Sequence, residues 1–339
     1  MVALPSPSRS ESEIAEYLAD RMDQLGFQAR IDEAGNAVGI IGDGTEDLVM
    51  LGHMDTVPGG PEVRIESGKL YGRGSVDAKG PLAAFIMAAV EAHPPGLRCT
   101  VIGAVEEEIH TSRGARYVRD RYQPDYCIIG EPSGWDTVTL GYKGRLLMDY
   151  HREQFLAHPA GDRVSAAEHG VDLWNRIEEM AGEYNRDRQG MFSQLHRTLH
   201  SFRTDENGNS ENVRLTAGFR LPPGLSPEDL RRSLEEISHD GAELNFRGGE
   251  SAYQTNRRSE LVPPFIRGIR EAGGSPRFSR KSGTSDMNVV GPAWNCPIVA
   301  YGPGDSALDH TPNEHIEIEE FLRGISVLKT TLNQLAGGR

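Results

Sequence analysis

Four short apolar runs, each ending abruptly at polar residues, set the pattern of this chain. The first closes on Gly52-His53-Met54-Asp55-Thr56-Val57-Pro58, and Cys99-Thr100-Val101-Ile102-Gly103-Ala104-Val105 stops at Glu106-Glu107-Glu108. Tyr126-Cys127-Ile128-Ile129-Gly130 stops at Glu131-Pro132, and Pro297-Ile298-Val299-Ala300-Tyr301 leads through Gly302-Pro303-Gly304-Asp305 to Leu308-Asp309-His310-Thr311-Pro312. Apolar runs of this length without polar alternation predict buried strands. Between the first two, residues 70–80 place Asp77 among glycines just ahead of an Ala-rich stretch over 81–93, so Asp77 is expected at a turn entering a helix. Further helices are expected near 261–272 and 316–335. Buried strands alternating with helices predict an α/β fold with a mostly parallel sheet.

The pattern changes after Gly141-Tyr142-Lys143. Strands are expected over 144–154 and 196–203, with an amphipathic helix over 165–184 between them and a loop over 204–210. A strand over 212–221, a helix over 226–238 opened by Ser-Pro-Glu, and a strand over 242–247 complete a βαββαβ order, that of a ferredoxin-like unit. The first style returns from Asn256. The expected organisation is therefore one α/β domain over 1–142 and 256–339, with an α+β domain over 143–255 inserted into it.

Composition narrows the class. With 339 residues, 37% hydrophobic and 25% charged, the chain can bury full cores, and its length suits two domains. No apolar run reaches membrane-span length, and the first residues, Met1-Val2-Ala3-Leu4-Pro5-Ser6-Pro7, lack a basic and apolar leader, so a cytoplasmic location is expected. Cys99, Cys127 and Cys296 sit in or beside apolar runs without ligand spacing and read as packed small hydrophobes in a reducing compartment. A net charge of -14 and a pI near 5.3 argue against nucleic acid or an anionic membrane as a general partner. Arg257-Arg258 and residues 277–281 are local basic patches, each equally readable as a solvated loop.

In open α/β sheets, ligands bind beyond the carboxyl ends of the strands, where these polar run-ends would converge. Imidazole and carboxylate together suit a borderline divalent ion such as zinc. Any one of these residues alone reads more simply as a strand cap or turn residue. A His, an Asp, consecutive Glu residues, another Glu and a late His at five such places point together to a metal site.

The motifs GHMDTVP at 52–58, LYGRGSVDAKG at 70–80, EEE at 106–108, GEP at 130–132, SGTSD at 282–286 and DHTPNE at 309–314 resemble, in order and over nearly the whole chain, the metal-dependent aminoacylase, carboxypeptidase G and succinyl-diaminopimelate desuccinylase superfamily. The resemblance implies a zinc exopeptidase-like sheet domain, an inserted lid and dimerisation domain, and cleavage of amide bonds next to a free carboxylate. It implies that His53 and Glu131 hold one ion and Glu108 and His310 the other, with Asp77 bridging them. Two divalent ions are implied, zinc first and cobalt as the second candidate. Asp55, on the same side of an extended segment as His53, can accept the ring N–H of that ligand.

The family pattern also makes Glu107 the general base that becomes a general acid, and leaves Glu106 solvated or behind the ligands. His158 matches a histidine that reaches a partner's site to stabilise an oxyanion. Around it, Glu153-Gln154 and Pro159 depart from the usual residues. Asn212, Gly283 and Thr284 match substrate-binding positions, each with a structural turn as its alternative. Arg9 stands in Pro5–Glu11 where the family often has glycine, and a leading helix is expected to be missing.

Within the superfamily, YGRGSVDAKGPLAA and AYGPGDSALDHTPNEHIEIEEF most resemble hydrolases that release lysine or ornithine from a small acidic amino-group carrier protein in lysine and arginine biosynthesis. A homodimer is implied as well. A deacylase of small substrates (acetyl-lysine, acetylornithine or succinyl-diaminopimelate) would use the same chemistry. A metal-bound binding protein without turnover would need neither Asp55 nor Glu107.

Overall fold

The computed structural model describes residues 1–156, 163–238 and 241–337. It divides into two compact units, one of Met1–Gly141, Gln254–Arg280 and Ser285–Arg339, the other of Tyr142–Tyr253 with Lys281–Thr284.

The first unit is built on a mixed sheet. Its strands run in the order Gln28–Ile31, Ala37–Ile41, Leu97–Ala104, Glu46–His53, Tyr126–Gly130, Ile298–Ala300 and Thr137–Tyr142. Leu97–Ala104, Glu46–His53, Tyr126–Gly130 and Ile298–Ala300 are mutually parallel along this order, so their carboxyl ends share one edge. These are the four apolar runs of the sequence, and the polar residues that ended each run gather at that edge. The strands are almost wholly buried, which is why they carry no polar alternation.

The helix Lys79–Ala92 packs against glycines of the sheet. Gly52 pairs in register with Gly103 on one side and Gly130 on the other. A Cβ on Gly130 would stand 2.8 Å from the Phe85 ring, and one on Gly103 would stand 3.1 Å from Leu82. Glycine at these positions admits the helix and so sets the depth at which its leading residues, Asp77 and Ala78, meet the strand ends. The Asp77–Ala78 peptide is cis. Helices Val262–Glu271 and Ile318–Ala336 join the same apolar core through Phe265, Ile269, Val327, Leu328 and Leu332.

The front of the chain is helical, over Ser12–Gln24, with Ile14, Ala15, Leu18 and Met22 buried at the three-to-four spacing of an amphipathic helix. A small antiparallel sheet of Arg64–Glu66, Lys69–Tyr71 and His315–Glu317 ties the residues after His310 to the loop ahead of Asp77, with His315 opposite Tyr71.

In the second unit an antiparallel sheet has the order His196–Glu206, Ser210–Leu221, Gly144–Phe155, Glu243–Glu250. Together with helices Ala166–Asn185 and Pro227–Ile237 this is the ferredoxin-like arrangement. Alternating burial along Gly144–Phe155 puts Leu146, Met148 and Tyr150 into a core with Leu173, Ile177, Leu230 and Leu234. Ser165 and Glu168 form a reciprocal capping box, and Ser226 caps the second helix ahead of Pro227. The expected loop over 204–210 is shorter than its polar composition suggests. Both strands continue to a tight turn in which Asn207 Oδ1 accepts the N–H groups of Asn209 (3.1 Å) and Ser210 (2.9 Å).

Candidate metal centre

His53 is the last residue of its strand and is 1% exposed. Its Nδ1 lies 2.9 Å from the backbone carbonyl of Asp55, an acceptor that orients the ring with Nε2 toward Asp77. That Nε2 is 3.1 Å from Asp77 Oδ1. Nε2 of His310 is 3.0 Å from Asp77 Oδ2 and 3.0 Å from Glu108 Oε1. Asp77 therefore turns one oxygen toward each imidazole. Ligand atoms of His53, Asp77 and Glu108 lie within 4.8 Å of one another, and so do those of His53, Glu107 and Glu131.

The turn after Val105 decides which acids face this cluster. Glu106 adopts a left-handed φ of 59°, a conformation that requires outside support for a side chain of this size. The carboxylate of Glu11 accepts its N–H at 3.1 Å, and its own carboxylate accepts the hydroxyl of Thr111 at 2.6 Å and Arg113 Nη1 at 3.5 Å. Glu106 is thus turned aside and buried, while Glu107 and Glu108 go forward. Asp55 holds them there: its Oδ1 accepts the N–H of Glu107 at 3.0 Å and its Oδ2 that of Glu108 at 3.1 Å. The expected ring contact from the Asp55 carboxylate to His53 is present only at 3.5 Å, because the Asp55 carbonyl is the nearer acceptor.

The Asp77 loop is held in the same way from the other side. Glu314, fully buried, accepts the N–H groups of Val76 (3.0 Å) and Asp77 (3.2 Å) on one oxygen and pairs with Arg73 through the other.

The electrostatics ask for added positive charge. Burial raises the carboxyls of Glu107 and Glu131 well above the ordinary range. The charge of His53 opposes the shift, and the neighbouring carboxylates of Asp77 and Asp286 add to it at both. Burial also raises Glu108, against the hydrogen bond from His310. Hydrogen bonds to Asp77 and Glu108 push His310 up to about 10. His53 is held well above its usual value by Asp55 and Asp77 in spite of burial. Four carboxyls beside two imidazoles fit divalent cations, with nitrogen and oxygen donors of the kind zinc accepts.

The family model described as peptidase family M20/M25/M40 matches residues 49–334. The chain belongs to this family. Among curated members, the LysW-lysine hydrolase of Deinococcus radiodurans is 46% identical over 346 residues, covering 99% of this chain and 95% of that protein. The LysW-lysine/LysW-ornithine hydrolase of Saccharolobus solfataricus is 28% identical, covering 99% and 94%. Among solved structures, the aminopeptidase PepT of Bacillus cereus superposes with a TM-score of 0.80 at 19% identity, over 99% of this chain and 96% of that one. A Bacillus subtilis protein described as a dinuclear metal binding peptidase from the M20 family gives 0.70 at 12% identity, over 99% and 95%. The M20 chain is thus a hydrolase of a metallopeptidase-like family, on a shared fold.

Of the residues read from the sequence, His53, Asp55, Asp77, Glu107, Glu108, Glu131 and His310 come together in the first unit. Asn212, Gly283 and Thr284 belong to the second. Asn212 Nδ2 donates to the Asp205 carbonyl at 3.4 Å, and Thr284 Oγ1 accepts Arg220 at 2.6 Å and donates to the Lys143 carbonyl at 3.3 Å. His158 lies outside the described residues. Sequence reading gave no role to Glu314, although DHTPNE contains it, and none to Ser8 or Glu11. Their partners lie far along the chain, the Asp55 carboxylate for Ser8 and backbone N–H groups for Glu11 and Glu314, and so leave no local pattern.

Proposed function

We propose that this M20 hydrolase releases lysine, and ornithine as a second product, from the γ-carboxyl of the C-terminal glutamate of a small acidic amino-group carrier protein, in cytoplasmic lysine and arginine biosynthesis. The observation that carries this reading is the full-length 46% identity to a protein named LysW-lysine hydrolase.

The residues suit the chemistry of amide hydrolysis. His53 and Glu131 would hold one divalent ion, Glu108 and His310 a second, and Asp77 would share its oxygens between them, with zinc as the metal and cobalt as an alternative. Bound ions of this kind acidify a water molecule and polarise the scissile carbonyl. Glu107 takes the proton of the attacking water as its oxygen adds to the γ-carbonyl carbon, then delivers that proton to the amide nitrogen as the C–N bond breaks and the amine leaves. The backbone of Glu107 is fixed for this task by Asp55, whose Oδ1 accepts its N–H at 3.0 Å. Asp55 and Glu314 keep the loops of these residues in place.

In this reading the ferredoxin-like unit supplies the lid and the homodimer contact. Asn212 binds near the substrate's free carboxylate, Gly283 and Thr284 belong to a loop that lines the pocket, and His158 serves the oxyanion of a partner subunit. Parallel assays of the zinc- and cobalt-reconstituted protein on carrier-linked lysine, carrier-linked ornithine, acetyl-lysine, acetylornithine and succinyl-diaminopimelate test the substrate. Turnover confined to the small acyl compounds would replace the carrier reading with the deacylase one.

A further inference from the structure

The segment over residues 4–11 runs beneath the metal centre and is laced to it. The Leu4 carbonyl accepts the buried Lys79 Nζ at 2.7 Å. The Ser6 hydroxyl donates to the Met54 carbonyl at 2.7 Å, the Ser6 carbonyl accepts the N–H of Thr56 at 2.9 Å, and Pro7 and Thr56 form a parallel bridge. The chain therefore follows the backbone around Asp55 from both sides. Two side chains then reach the residues that carry the chemistry. Ser8 Oγ donates to Asp55 Oδ2 at 2.7 Å, and Glu11 accepts the N–H of Glu106 at 3.1 Å.

Asp55 is fully buried, and its carboxylate is held by three short hydrogen bonds. Two of them come from the backbone of Glu107 and Glu108; the third comes from Ser8. A buried carboxylate that loses one of three donors must find a replacement, and the donors within reach are the two N–H groups it already grips and the His53 ring nitrogen at 3.5 Å. Removing the hydroxyl therefore shifts Asp55 and, with it, the residues that bind metal and move the proton. Glu11 works on the same turn at its left-handed residue, Glu106, accepting its N–H while Thr111 donates to its carboxylate.

We propose that Ser8 is a positioning residue of this hydrolase, acting through Asp55 on the Glu107-Glu108 pair, and that Glu11 locks the same turn through Glu106. The proposal rests on the site assignment above, although not on the identity of the substrate. Ser8 is only partly buried, which makes Ser8→Ala a tolerable change for the fold.

The test compares the wild-type protein with Ser8→Ala, Ser8→Thr and Glu11→Gln. Each is titrated with Co²⁺ and read by the visible absorption of the bound ion, then assayed for kcat and KM on the substrate the wild type turns over. Expected for Ser8→Ala are a melting temperature close to wild type, an altered cobalt spectrum with affinity lowered about tenfold, and kcat lowered about tenfold at similar KM. Ser8→Thr, which keeps the hydroxyl, restores both. A Ser8→Ala protein with wild-type cobalt binding and kcat would overturn the proposal, and so would Ala and Thr variants that are equally impaired. If the wild type hydrolyses none of the carrier or acyl substrates, the substrate reading fails while the cobalt spectra still decide this one.

Discussion

Glu314 accepts the backbone N–H of Asp77 at 3.2 Å from a fully buried position, although 237 residues separate the two. The same oxygen takes the N–H of Val76, and the other faces Arg73, which is itself only 13% exposed. Glu314 is a clamp on the loop that presents Asp77, and it mirrors Asp55, whose carboxylate grips the loop presenting Glu107 and Glu108. Two buried acids thus fix the backbone of the loops that carry Asp77, Glu107 and Glu108.

Replacing Glu314 by Ala removes that clamp and takes a carboxylate from the Arg73 guanidinium, which keeps the Gly59 and His310 carbonyls. The expected loss is roughly 3 kcal/mol of stability, the usual result of breaking one side of a buried pair. Zinc affinity should fall about 10–100-fold as Asp77 loses its fixed position. Gln, which keeps one acceptor oxygen, should be milder on both counts. Denaturant unfolding of the metal-free protein and competition with a zinc chelator measure the two effects separately.

Gly130 is a second point where backbone geometry sets the site. Gly130→Ala would place a methyl 2.8 Å from the Phe85 ring and 3.2 Å from the Gly52 Cα. Phe85 is fully buried, and Gly52 lies in the adjacent strand, so neither has room to yield. Overpacking of this kind costs about 1–3 kcal/mol. Urea unfolding should show it, and a stability equal to wild type would mean that the helix Lys79–Ala92 can lift off the sheet at no cost.

The parts legible in the sequence and the parts that were not differ for physical reasons. The central parallel strands were legible because burial on both faces removes polar residues from them, so each ends sharply where its polar residue begins. His53, the three glutamates and Glu131 could be read from those ends, and the glycines around Asp77 marked its turn. Gln28–Ile31 and Arg64–Glu66 left no such trace, since they are short and largely exposed. The helix Ser12–Gln24 carries an apolar stripe at Ile14, Leu18 and Met22, but charged and polar residues fill most of the rest of it and it follows the Pro- and Ser-rich run over 5–11. In the ferredoxin-like unit the βαββαβ order was plain, and only the hairpin over 204–210 misled, because strands that extend into solvent keep polar side chains. Ser8, Glu11 and Glu314 were invisible as functional groups, since a carboxylate or hydroxyl bound to a distant backbone N–H or carboxylate has no spacing to recognise.

Metal loading should release protons. In the metal-free site His310 is raised from 6.5 to about 10 by Asp77 and Glu108, and His53 is raised as well. The contribution of His310 to the stability of the metal-free fold is fully present below about pH 6.5. It fades as pH rises through about 10. Between those values the imidazolium must deprotonate before its nitrogen can serve as a ligand. Zinc affinity should therefore increase from pH 6 to pH 9, with proton release at neutral pH detectable by calorimetry in buffers of different ionisation enthalpy. An affinity independent of pH across that range would contradict the His310 assignment.

Glu107→Gln is the most direct test of the proposal that coordination and proton transfer are divided between Glu108 and Glu107. The amide keeps the shape and size of Glu107 but cannot take a proton from water. Metal analysis of the purified variant, paired with its kcat on carrier-linked lysine, should show both ions retained and turnover lowered by roughly 10²–10⁴-fold. A variant that holds both metals and still hydrolyses at the wild-type rate would contradict the assignment of Glu107 as the base.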